Sequence, residues 1–159
     1  MKYQNNSDQV WISYGPGTSS SATQIGIGSS QFGLLANNVN TTLENSYLIP
    51  DTWNHLLLTH DGSVTKLYVN GVQDGSNYTD STNYENPAER PFIGASGGST
   101  NLASGTFTEG YISNLRICKG HAVYTGNFTV PTRELEVHTG AKGVVFPAAD
   151  NRTVLLACQ

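Results

Sequence analysis

Glu134 and Glu136 come closest to a pair of acids that could divide catalytic work between them. Glycosidic hydrolysis with retention needs two carboxyls about 5.5 Å apart across the scissile bond. These two follow an aperiodic segment instead of lying in a clear strand, and they read as an exposed charged pair. His55 and His60 come next. They stand five residues apart on one extended run, hence on opposite faces, and cannot share a ligand. His55 alternates with Trp53 and reads as a partner of neighbouring backbone. No serine sits in a nucleophile elbow, and no strand offers a base together with its orienting acid. Cys118 and His121 form a C-x2-H half-site, but a structural zinc needs about four ligands and no second pair is evident. The residues able to do chemistry therefore argue against an enzyme.

Binding has a better candidate. The polar stretch from Gly75 to Glu89 carries Tyr78, Asn83 and Tyr84, two aromatic rings and an amide that could stack on and hydrogen-bond a sugar. The competing reading packs these tyrosines on their own loop or on a neighbouring subunit. Five N-x-S/T triplets occur, at Asn5, Asn40, Asn77, Asn127 and Asn151. They read as a product of Asn-, Ser- and Thr-rich composition, not as glycosylation sites.

The elements that position these residues follow from composition and period. The 159 residues suit one domain, 1–159. Only 13% of them are charged, and the net charge is -4. Neutral polar faces with many turns suit an all-β protein, and scattered cations do not make a phosphate-tracking groove. No nucleic-acid partner is expected. Nor is membrane insertion, since no run approaches the roughly 18 apolar residues of a membrane span. The opening MKYQNNSDQV lacks the apolar middle of a secretory signal. Cys118 and Cys158 sit in apolar patterns and read as two buried thiols, with a bridge between them as the alternative.

Trp53 to Gly75 organises the chain: DTWNHLLLTHDGSVTKLYVNGVQDG reads as three strands broken at Asp61-Gly62 and Asn70-Gly71. Trp53 opens the first strand and anchors the core. Val64 to Val69 puts Leu67 and Val69 on one face and Lys66 and Tyr68 on the other, a half-buried pattern. Further strands are expected at Gln9–Tyr14, Thr23–Gly28, Gln31–Asn37, around Thr41–Leu48 at an edge, Arg90–Gly94, Phe107–Lys119 with either a bulge near Asn114 or both faces covered, and Thr153–Cys158. Glycines at alternate positions of TQIGIG and QFGLLAN mark a close neighbouring layer or a bulge. Loops are expected at 15–22, Ser76–Glu89 and Ser96–Ser104. His121 to Leu135 reads as a crossing segment pinned by Tyr124 and Phe128. Helix should amount to a turn or two, and the whole to an antiparallel β-sandwich of jelly-roll type.

The runs WNHLLLTHDG, KLYVNG, GYISNLRICKGHAVYTGNFTVPTREL and TVLLACQ resemble the laminin-G-like, concanavalin A-like jelly-roll family. In particular they resemble modules of bacteriophage virion proteins from marine and cyanobacterial phages. The resemblance implies a lectin-like sandwich and a non-catalytic structural role in a virion, such as capsid or tail decoration or cementing. Other virion proteins, a homo-oligomer or lattice contacts would be the partners. The alternative is host attachment by a tail fibre through cell-surface glycans. Glycan hydrolysis is a third reading, weakened because the E-x-D-x-x-E string of related glucanases is missing. A single calcium at the rim is also implied, with Asp61, Asp74, Asp80 and Asp150 near turns but no ligand loop evident. No other cofactor is implied. Family members usually carry a further strand ahead of the region matched by Gln9–Tyr14. A shortened module, or a piece of a longer polypeptide, is therefore expected, with an open sheet edge for a partner to cover.

Overall fold

The computed structural model describes the backbone of residues 2–3, 9–14, 23–28, 31–36, 39–42, 48–79, 92–97, 102–118, 122–133 and 153–157. Side chains are described at 12–13, 48–79, 92–95, 107–118 and 122–133. Among these residues every regular element is a strand and every pairing is antiparallel. The architecture is an antiparallel β-sandwich.

The chain begins with β1 (Lys2–Tyr3), a short strand that polar sequence around it did not announce. A five-stranded sheet follows, built from β2 (Gln9–Tyr14), β3 (Thr23–Gly28), β4 (Gln31–Ala36), β5 (Val39–Thr42) and, later in the chain, β9 (Phe92–Ile93). Its order is β5-β4-β3-β2-β9. The expected glycine pattern has a structural counterpart: Gly26 pairs across the β3–β4 ladder with Gly33, and β2 bulges between Val10 and Ile12 beside it. The edge strand expected around Thr41–Leu48 lies earlier, at Val39–Thr42, while Leu48 is a buried core residue outside it.

A three-stranded sheet contains β6 (Leu56–Asp61), β7 (Val64–Val69) and β8 (Val72–Thr79). Both turns form where Asp-Gly and Asn-Gly fall. Asn70 and Gly71 take φ of 51° and 84°, the pair of positive values that a two-residue I′ turn requires. Gly62, with φ 65°, spans a bond from Ser63 N–H to the Asp61 carbonyl at 2.7 Å. β8 runs four residues further than expected: Ser76 to Thr79 are strand, with Tyr78 opposite Thr65 and Thr79 opposite Val64. The ladder absorbs its register shift between Thr65 and Leu67. Local polarity concealed this extension because an edge strand needs only backbone pairing to form.

The stretch 96–104 also differs from a simple loop. β10 (Ala95–Gly97) pairs with β11 (Leu102–Phe107), the corner from β9 being made by Gly94 at φ 80°. The expected strand from Phe107 to Lys119 divides into β12 (Gly110–Tyr111), which pairs with β1, and β13 (Leu115–Cys118), which pairs with β14 (Thr153–Ala157). The break falls at Asn114, whose φ of 53° turns the chain where the parity of Ile112 and Leu115 clashed.

The core is deepest at β7. Leu67 and Thr65 on one face and Tyr68 on the other have almost no exposure. This corrects the half-buried pattern read from the sequence, because both faces of the strand are covered. One is lined by Leu56, Leu58 and Leu67, and the other is closed by residues 122–133. Fully burying one such apolar side chain stabilises by about 1.5–3 kcal/mol.

Candidate functional site

The Asn70–Gly71 end of the β6–β7–β8 sheet gathers the features that could serve a function, and the crossing segment builds it. Residues 122–133 lie over the face that carries Tyr68. Phe128 N–H donates to the Gly71 carbonyl at 2.9 Å, Gln73 N–H donates to Asn127 Oδ1 at 2.8 Å, and Lys66 Nζ donates to the Thr125 carbonyl at 3.1 Å. Tyr124 stacks on Phe128 with ring centroids 4.0 Å apart. Phe128 in turn meets Tyr68 edge to face at 5.7 Å and His55 at 5.4 Å. The aromatic pinning read from the sequence is therefore real, and its receptor is the hairpin.

Tyr68 is shielded by this segment. Burial raises its pKa, and the neighbouring Thr59 side chain offsets part of the rise. Among the described residues the buried Tyr68 hydroxyl has no partner in hydrogen-bond geometry. His55 lies just ahead of β6. Its N–H donates to Asn70 Oδ1 at 2.9 Å and its carbonyl accepts from Asn70 N–H at 2.8 Å. Its backbone is satisfied, but its ring, read from the sequence as a partner of neighbouring backbone, leaves Nδ1 buried with no partner among the described residues. Burial pushes the imidazole below its usual 6.5, and Arg116 adds like-charge repulsion. His60 sits elsewhere, with Nδ1 2.9 Å from the Thr65 hydroxyl.

Loop 48–55 completes this end. Asn54 is buried, and its Nδ2 donates to the carbonyls of Ile49 at 3.3 Å and Thr52 at 3.0 Å. Asp51, at φ 57°, turns the loop. The amide clamp fixes the backbone while two of the loop's three large apolar side chains face water: Ile49 is 63% exposed and Trp53 55% exposed, whereas Leu48 is buried. Trp53 is thus neither in a strand nor in the core, contrary to the sequence reading. The signal lay in the spacing, because Asn54 and His55 separate it from the alternation that begins at Leu56, and Pro50-Asp51 places it in a turn. Val72, exposed at the first position of β8, stands at the same end of the sheet.

The sequence-derived binding residues divide. Tyr78 is a half-buried strand residue at the opposite end of the sheet, near the Gly62 turn. Four residues of β6 separate its level from that of Leu56, about 13 Å at 3.3 Å per residue, so Tyr78 and Trp53 do not form one surface. Asn83 and Tyr84 lie outside the described residues, as do His121, Glu134, Glu136, Cys158, Asp80 and Asp150. Cys118 is half-buried and is not joined in a disulfide. Asp61 is exposed on the Tyr68 face, whereas Asp74 is buried opposite Leu67 on the other. Among the described residues no three His, Cys, Asp or Glu side chains gather as a metal site.

A sheet of this kind, with a clamped apolar loop at its end, can be placed by comparison. The laminin G-type model of the concanavalin A-like lectin/glucanases superfamily matches residues 1–122. The chain belongs to that superfamily. The superfamily match takes in the first fifty residues, which the resembling motifs do not, and ends before the Phe128 segment. No curated protein and no solved structure matches the chain.

Proposed function

We propose that this superfamily member is a non-catalytic structural module of a bacteriophage particle, decorating or cementing a capsid or tail, and that it holds neighbouring virion proteins through the Ile49–Trp53 loop. The observation that carries the reading is the exposure of Trp53 and Ile49 on a backbone that a buried asparagine fixes. Tryptophan is enriched among residues that dominate protein interfaces, and a preformed loop loses little entropy on docking. The exposed aliphatic residues Ile49 and Val72 at the same end of the sheet favour a protein surface over a sugar, whose hydroxyls need polar partners around the stacking ring. The phage setting rests on the motif resemblance.

The test is incorporation of the chain into purified particles. The Trp53→Ala variant should incorporate roughly thirtyfold less well, the equivalent of about 2 kcal/mol for an interface anchor. Undiminished incorporation, or release of sugar from a polysaccharide by the purified chain, would overturn the proposal. Host attachment through glycans is a second reading, favoured by the open indole of Trp53. It requires retention on a host-polysaccharide column that Trp53→Ala abolishes.

A further inference from the structure

We propose that His55 is a pH-sensitive latch that holds the crossing segment 122–133 on the hairpin when neutral and releases it when protonated. The geometry carries this. The His55 ring lies edge to face with Phe128 at 5.4 Å, and its Nδ1 is buried with no hydrogen-bond partner among the described residues. A neutral imidazole can leave one nitrogen bare, at a cost. An imidazolium carries a proton on each nitrogen, and a buried charged donor without an acceptor costs far more. The groups around it offer no relief. β7 contributes the Tyr68 ring and the crossing segment contributes Phe128 with Tyr124 stacked behind it. Arg116 of β13 acts on His55 as a like charge. None of the described carboxylates, Asp51, Asp61, Asp74 and Glu109, is among the groups that shift it. Attraction of the cation to the Phe128 ring does not replace the missing acceptor.

Release of the segment is the local way to hydrate the charge. Among the described residues the hydrogen bonds tying it to the sheet fall at Thr125, Asn127 and Phe128: to Lys66 Nζ, Gln73 N–H and the Gly71 carbonyl. Breaking them leaves the β6–β7–β8 ladders whole, so the opening is sub-global. It would uncover Tyr68 and the hairpin face beneath Phe128. Acidification thus changes which surface the module presents.

The experiment follows His55 by NMR from pH 8 to pH 5 on the full chain, together with amide hydrogen exchange corrected for intrinsic rates. As His55 protonates, the Phe128 and Gln73 amides should lose protection while the Leu67 and Tyr68 amides of the central strand keep theirs. The His55→Phe variant, which keeps the aromatic contact, should not show the loss. Unchanged Phe128 protection through the titration of His55 would overturn the proposal, as would the same loss in His55→Phe. The titration of the unsubstituted chain decides the matter even if the variant does not fold.

Discussion

Replacing Gly71 with alanine should destabilise the protein far more than the same change at Gly62, although both are turn glycines with positive φ. At Gly62, φ is 65° and a Cβ would meet nothing within 4 Å. The cost there is backbone strain alone, about 1 kcal/mol. At Gly71, φ is 84° and the added Cβ would overlap the carbonyl oxygen of Phe128, with that carbonyl carbon at 3.3 Å and Val130 Cγ2 at 3.4 Å. The obstacle is backbone, so no rotamer change relieves it, and the crossing segment must retreat. Retreat weakens the bond from Phe128 N–H to Gly71, a net of about 0.5–1.5 kcal/mol. It also loosens the ring contacts of Phe128 with Tyr68 and His55, each on the order of 0.5–1.5 kcal/mol. With the strain included, Gly71→Ala should cost about 2–5 kcal/mol. For a chain of this size each kcal/mol lowers Tm by roughly 2–4 °C. Urea titration of both variants, with unchanged m-values as the sign of an intact two-state transition, gives the comparison. Equal costs for the two substitutions would refute the account of how segment 122–133 is seated.

Two other outcomes follow from the same region. Tyr68→Phe removes a buried hydroxyl that has no hydrogen-bond partner, so it should leave stability unchanged or raise it by up to about 1 kcal/mol, against the usual loss for a core substitution; calorimetry reads the sign. His55 sets a pH dependence. Its folded pKa lies below the unfolded 6.5, so the unfolded chain takes the proton first. The stability contributed by neutral His55 is complete above pH 6.5 and is lost as pH falls from 6.5 toward the folded value. A stability profile of His55→Phe should be flatter over that window.

The sequence made the hairpin plain because its determinants are local. Asn70-Gly71 and Asp61-Gly62 dictate turn geometry wherever they occur between alternating apolar residues. The same holds for the β3–β4 hairpin and for the Tyr124–Phe128 segment, whose aromatics required a receptor. What stayed hidden depends on partners distant in the chain. Tyr68 read as a surface residue because nothing near it in sequence shows that Phe128, sixty residues on, will cover it. Ser76 to Thr79 read as loop because a strand edge is formed by backbone pairing with Val64 and Thr65, whatever its side chains. Trp53 read as core because a large apolar residue beside a strand usually is; the Asn54 clamp that holds its loop is a contact between side chain and backbone, and in the sequence only the spacing ahead of Leu56 and the Pro50-Asp51 turn point to it. The binding surface was therefore sought at Tyr78, one end of the sheet, while Ile49, Trp53 and Val72 stand exposed at the other.

The most direct test of the assembly role is hydroxyl-radical footprinting of Trp53 and Ile49 in the isolated chain and in intact particles. The account predicts strong oxidation of both in the isolated chain, as their exposure requires, and marked protection within the particle. Equal oxidation in the two states, or particles that lack the chain, would contradict it.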